Sequence, residues 1–271
     1  MSDSKILFLD IDNTLLAEDG TIPEENVSAL SRAAKAGHRI VICSGRPLSC
    51  VLPIARRLSL TGEGCYLISY NGSLIYECGR KRTLLEQTMP MSAVRLLFEK
   101  ADEHGLYAQT YEDNTLLIRR ECEESGYYVK KSGISFRVVP ELPDGLSREP
   151  IKVLLIDLHD KSRLERFRME VAPLLEGEAA LFFSSDVMLE CVKAGFTKGS
   201  AVRWLCRHLG IPIENSVAAG DSENDIPMLE AARIGCAMAN ATPGCKDAAD
   251  YITVRDCNHS GVAEIIEKFL L

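Results

Sequence analysis

Three short runs that are apolar almost throughout, KILFLDI, HRIVICSGR and CYLISYNG, are separated by segments of helix length. A strand that is apolar at every position, rather than at alternate ones, has to be covered on both faces. Such strands alternating with helices specify a parallel sheet with helical crossovers. The first intervening segment, PEENVSALSRAAKAG, reads as a helix. Pro23 stands near its start, Val27, Leu30 and Ala34 form its apolar face, and Gly37 stops it. A second helix is expected over residues 48–60.

The rhythm then breaks. GSLIYECGRKRTLLEQTM reads as a hairpin. A helix (91–105), the strands of LYAQTYEDNTLLIRR, a short helix, another strand and IKVLLIDL follow. A further helix (161–176) and two strands, ALFFSS and VMLECV, complete the stretch. Helix followed by paired strands is the pattern of an α+β unit with an open sheet. After AGFTKG the first rhythm resumes. KGSAVRWLCRHLG is a helix carrying the only tryptophan, Trp204. SVAAGD is a strand, NDIPMLEAARIG a helix, CAMANA and YITV strands, and GVAEIIEKFLL a closing helix. The expectation is an α/β fold. Its Rossmann-like parallel-sheet core spans residues 1–84 and 193–271, and an inserted α+β domain spans 85–192.

Composition narrows the partners. Formal charge is 31 − 39 = −8, which disfavours nucleic acid, because phosphate backbones select basic faces. No stretch approaches the ~20 apolar residues that span a bilayer, and the first residues do not resemble a signal peptide. The ten cysteines include no CxxC pair, and Cys43, Cys191, Cys206 and Cys236 lie in apolar stretches and read as small core residues. A reducing, cytoplasmic setting is expected. Nothing in the pattern fixes an oligomeric state.

Open parallel sheets bind ligands just past the carboxyl ends of their strands. There the first strand delivers Asp10, Asp12 and Thr14, and the second Ser44, Gly45 and Arg46. The third delivers Asn71 and Gly72, and SVAAGDSEND delivers Asp221, Ser222, Asn224 and Asp225. Lys198 opens a helix between them. Acids from two strands in one crevice raise each other's pKa and need a cation. Mg2+ suits carboxylate oxygens, keeps waters and shares phosphate oxygens. Lysine with a Ser-Gly amide pair makes an anion-accepting half, and an aspartate can attack phosphorus.

Plainer readings exist for the same residues. An Asx turn explains one of Asp10 and Asp12, but poorly both. Thr14 reads equally as a helix cap or as support for the Asp10 turn. Arg46 reads equally as a surface ion pair or a substrate contact. Pro227 sits well only in a first turn, so its helix begins near Asn224 or Asp225, and one of them caps it. No GxSxG, GxGxxG or GxxxxGK[ST] occurs.

DIDNT, CSGR, the lysine of FTKG, and GDSEND resemble, in type and order, the four motifs of the haloacid dehalogenase superfamily. The inserted unit is similar to the C2-type (IIB) cap of its Cof-like phosphatases, and SYNGSLI resembles their NGA segment. The resemblance implies an Mg2+-dependent phosphatase hydrolysing a small phosphorylated metabolite, with sugar phosphates the expected class, through an aspartyl-phosphate.

In that scheme Asp10 is the nucleophile and Asp12 the general acid and base. Asp10, the Asp12 carbonyl and Asp221 ligate the metal. Ser44 and Lys198 hold the phosphate, with Gly45, Arg46, Asn71, Gly72 and Asn224 as further substrate or phosphate contacts. Thr14, Asn224 and Asp225 support the arrangement. Asn13 stands where the family usually has glycine, and asparagine tolerates left-handed backbone. Lys193 stands where a proline is usual, and Lys198 is taken as the motif lysine because a glycine and a helix start follow it. A phosphotransferase or phosphomutase on the same site, and a non-catalytic phosphoacceptor, remain as alternatives. In the insert, Glu190, Arg119, Arg120, Tyr107 and Tyr111 are unranked candidates for selecting substrate.

Overall fold

The structure, a computed structural model, describes residues 4–271. In chain order the first elements are β1 (Ile6–Leu9), α1 (Glu24–Lys35), β2 (Arg39–Cys43), α2 (Leu48–Arg57), β3 (Tyr66–Ser69), β4 (Leu74–Glu77) and β5 (Arg82–Glu86). Then come α3 (Met91–Glu103), β6 (Tyr107–Glu112), β7 (Thr115–Ile118), α4 (Glu123–Ser132), β8 (Phe136–Val138), β9 (Lys152–Ile156), α5 (Lys161–Val171), β10 (Ala179–Ser185) and β11 (Met188–Lys193). The last are α6 (Lys198–Leu209), β12 (Ser216–Gly220), α7 (Ile226–Ala231), β13 (Ile234–Ala237), α8 (Pro243–Asp247), β14 (Tyr251–Ile252) and α9 (Gly261–Phe269).

Two compact units result. One takes the chain up to Gly45, then Val51–Leu85 and Thr197–Leu271; the other takes Arg46–Cys50 and Glu86–Phe196. The first holds an eight-stranded sheet in the order β14-β13-β12-β1-β2-β3-β4-β5. From β14 to β3 neighbouring strands run parallel, and β4 turns back antiparallel to β3. All four residues of β1 are fully buried, and Phe8 is in register with Val41 on one side and Ala218 on the other. From β1 the chain builds outward through β2 and β3. Beyond β12 it builds outward the other way, through β13 and β14. The strand order therefore reverses between β1 and β12, which is where such sheets open a crevice at their carboxyl ends.

Two expectations are corrected. The buried face of α1 is Asn26, Ala29, Leu30 and Ala33, while Val27 is only half-buried and Ala34 is exposed. The reason is tertiary: Asn26 Oδ1 accepts a hydrogen bond from Ala263 N of α9 at 2.9 Å, which turns a polar residue inward. The helix expected over 161–176 ends at Val171 and continues as one tighter turn over Ala172–Leu175, because Pro173 supplies no N–H to the α-helical ladder.

The second unit carries a six-stranded sheet in the order β10-β11-β9-β6-β7-β8. Side chains alternate between its faces. On one face Val153, Leu155, Leu189 and Cys191 pack with Leu97 and Phe98 of α3 and Leu164 and Phe167 of α5. The intervening positions include Lys152 and Glu190, which form a buried ion pair at 2.9 Å. Cys43, Cys191, Cys206 and Cys236 are buried and unbridged, as expected of core residues. Among the described residues no helix is long and apolar enough to cross a membrane.

Gly199, in the first turn of α6, touches α7. A Cβ there would lie 2.0 Å from the Pro227 carbonyl oxygen. Gly199→Ala should therefore force the two helices apart, at a cost of about 2 kcal/mol. A lower urea midpoint at unchanged m-value would register it.

Candidate active site

The last residue of β1 leads into a turn rather than a continued strand. Ile11–Leu15 form one wide turn, closed by Leu16 N donating to Ile11 O at 2.8 Å. Inside it Asp12 is extended (φ −74°, ψ 128°) and Asn13 is left-handed (φ 56°, ψ 12°). A left-handed residue other than glycine costs roughly 1–2 kcal/mol, less for asparagine. A single net hydrogen bond, about 1 kcal/mol, is enough to hold it. Asn240 Nδ2 supplies one, donating to Asn13 O at 2.8 Å.

Asp10 stays at the sheet, with its N–H donating to Ala219 O of β12 at 3.0 Å. Lys198, at the first position of α6, reaches it. Its Nζ donates to Asp10 Oδ1 and to Asp225 Oδ1, both at 2.5 Å, and the lysine is 1% exposed. The other oxygen of Asp225 accepts from the backbone N–H groups of Asp221 and Ser222, each at 3.1 Å. Asp225 thus combines capping of its own turn with a grip on Lys198. Asp221 accepts from Thr14 Oγ1 at 3.0 Å and from Ser222 Oγ at 2.8 Å. Thr14 therefore braces Asp221 instead of capping a helix.

The remaining residues form a second arm. Ser44 is buried at the end of β2, and its carbonyl accepts from Asn71 N at 3.0 Å. Asn71 is fully buried and left-handed (φ 55°), and its Oδ1 accepts from Asn224 Nδ2 at 3.0 Å. A Cβ on Gly45 would fall 2.9 Å from the Asn71 amide nitrogen. One on Gly72 would fall 2.2 Å from the Thr197 carbonyl, just before Lys198. The close backbone contacts join the ends of β2 and β3 to the start of α6. Arg46 is half-buried and belongs to the short stretch grouped with the second unit. Lys193 also lies in that unit, donating to Gln87.

Charge in the first arm is unbalanced. Carboxylate oxygens of Asp10, Asp221 and Asp225 lie within 4.8 Å of one another, against one lysine. Burial, reinforced by Asp225, pushes the Asp10 carboxyl well above the ordinary carboxylate range, although Lys198 pulls it back. Burial and then Asp225 push Asp221 up to about 7. For Lys198 burial favours the neutral amine, but Asp10 and Asp225 outweigh it and hold the ammonium form well above its usual range. The donor set is all hard oxygen, and a divalent cation such as Mg2+ fits it.

In the second unit Glu190, Arg119 and Tyr107 are engaged internally. Glu190 pairs with Lys152 and accepts from Ser184. Arg119 binds Asp102 and the Leu142 carbonyl, and Tyr107 donates to Gln109. Tyr111 is buried and Arg120 exposed.

Sequence reasoning over four strand ends leaves out Asn240. It follows β13, a fifth parallel strand, so the same carboxyl-end rule applied to CAMANA would have included it.

A family model described as haloacid dehalogenase-like hydrolase matches residues 7–266. A solved haloacid dehalogenase-like hydrolase from Bacteroides thetaiotaomicron is 30% identical, with a TM-score of 0.86, and the match covers 98% of this chain and 99% of that one. The 5-amino-6-(5-phospho-D-ribitylamino)uracil phosphatase YcsE of Bacillus subtilis is 28% identical over 99% of this chain and 97% of its own. The pyridoxal phosphate phosphatase YbhA of Escherichia coli is 26% identical over 99% of both. With the family model spanning nearly the whole chain, this protein belongs to the haloacid dehalogenase-like hydrolases.

Proposed function

We propose that this protein is an Mg2+-dependent phosphatase that hydrolyses a small phosphorylated metabolite, with sugar phosphates as the expected class, through an aspartyl-phosphate on Asp10. The observation that carries the reading is the buried bridge from Asp10 through Lys198 to Asp225, with Asp221 beside it. Lys198 opposes the rise that burial imposes on Asp10 and so favours its ionised form, and an ionised, oriented carboxylate is a nucleophile. The relatives named for pyridoxal phosphate and for a phosphoribityl compound support a phosphomonoester of a small molecule.

In this reading an Asp10 oxygen attacks phosphorus and the bond from phosphorus to the ester oxygen breaks. Asp12 gives its proton to the leaving oxygen. Asp12 then takes a proton from water as that water attacks the phosphorus held on Asp10. Phosphate leaves and Asp10 is restored. Lys198 and Ser44 hold the phosphate oxygens, and Asp225 fixes Lys198. Asp10, Asp221 and the Asp12 carbonyl would hold Mg2+, which when bound neutralises charge on the phosphoryl group. Residues 85–192 are proposed as the domain that selects the leaving group. The ten unbridged cysteines support a reducing, cytoplasmic setting.

Phosphate release from a panel of phosphorylated sugars, nucleotides and cofactors tests the reading. Asp10→Asn should lower kcat on the order of a thousandfold or more while far-UV circular dichroism is unchanged. Chelation should abolish turnover reversibly. Full activity in the Asp10 variant would sink the proposal.

A second expectation concerns pH. Asp10 and Asp221 are raised above the ordinary carboxylate value of 3.8, so without metal the fold holds their protons more tightly than the unfolded chain does. Their contribution to stability is full below 3.8 and is lost as pH rises, for Asp221 through about 7. Thermal midpoints of the metal-free protein should fall between about pH 5.5 and about pH 8 from this source. Mg2+ should raise the midpoint more at the higher pH. An equal shift at both values would count against Asp10 and Asp221 as ligands.

A further inference from the structure

The segment after β13 is anchored to the site's own strand. Met238 N donates to Gly220 O at 3.1 Å, and Thr242 N to Asp221 O at 2.9 Å. Between these two anchors lies Asn240, whose carboxamide is used at both ends. Its Nδ2 donates to Asn13 O at 2.8 Å, and its Oδ1 accepts from Cys257 N at 2.9 Å. Cys257 opens the short turn Cys257–His259, and Asn258 of that turn accepts from Glu18 N at 3.0 Å. The chain that follows Asp10 is therefore tied down at Asn13 and again at Glu18, by one continuous piece of structure.

Asp10 is fixed by its own contacts, through its amide to β12 and its carboxylate to Lys198. Asp12 leads directly into the left-handed Asn13, so the backbone that carries its carboxyl follows this turn. An exposed asparagine can also adopt right-handed and extended backbone. The grip on the Asn13 carbonyl selects among these conformations.

We infer that Asn240 is a positioning residue: its carboxamide fixes the Asn13 peptide and, through it, aims the Asp12 carboxyl, governing proton transfer to the leaving oxygen rather than attack on phosphorus. The inference rests on the proposed roles of Asp10 and Asp12. Protonation matters for an alkoxide leaving group and little for one that is stable as an anion at neutral pH.

The test compares kcat/KM for glycerol 2-phosphate or glucose 6-phosphate with that for p-nitrophenyl phosphate, all with Mg2+. Asn240→Ala should lower the alkyl phosphate value about tenfold, equivalent to about 1.4 kcal/mol of barrier. The p-nitrophenyl phosphate value should fall less than about threefold, because its leaving group needs no proton. Asn240→Asp keeps the acceptor for Cys257 N but loses the donor to Asn13, and should show the same split. It also serves as the reporter if the alanine variant folds poorly. Inhibition by inorganic phosphate should stay within about twofold, since Ser44 and Lys198 are untouched. Equal losses on both substrate types, or no loss, in a protein whose wild type is active would overturn this inference alone. A wild type with no metal-dependent phosphate release from any of these substrates would overturn the phosphatase reading, and this inference with it.

Discussion

The arrangement depends on one buried ammonium group. Lys198 lies between Asp10 and Asp225, and neither carboxylate is tolerable at that depth without it. Removing a single partner from a buried charge cluster typically costs several kcal/mol, since the remaining charge cannot be rehydrated. The surrounding architecture serves the same requirement. Gly199 lets α6 approach α7 closely enough for Lys198 to meet Asp225. Gly72 lets the end of β3 rest against the peptide preceding it. Thr14 and Ser222 then steady Asp221, the member of the three-acid cluster that the lysine does not bind directly.

Much of this was legible in the sequence, and the reason is physical. Uninterrupted apolar runs mark strands covered on both faces, and polar residues at their carboxyl ends have few structural uses there. That logic singles out Asp10, Asp12, Ser44, Asn71 and Asp221 by position alone. Pro227 limits where α7 can start, and the observed start at Ile226 follows from it. The left-handed turn at Asn13 was likewise readable from the tolerance of asparagine for that conformation.

What escaped is long-range. The buried face of α1 turns on a bond from Asn26 to a residue 237 positions away, which no helical periodicity encodes. Glu190 sits in an alternating strand and reads as one polar candidate among several. Only pairing across the sheet reveals that it and Lys152 neutralise each other inside the second unit. Asn240 follows an ordinary-looking strand, and its partner Asn13 is 227 residues distant.

The position of β1 has a consequence for how the chain is made. It precedes every other described strand in the chain, yet one of its two edges pairs with β12, whose first residue is Ser216. Until some two hundred further residues have been added, a fully apolar strand has an open hydrogen-bonding edge, the kind of surface that other chains pair with. The inserted unit, with an apolar core of its own, is complete in the meantime. This sequence therefore has to keep a nascent sheet from aggregating for as long as its second unit takes to be translated, and chaperone demand should follow the length of that insertion.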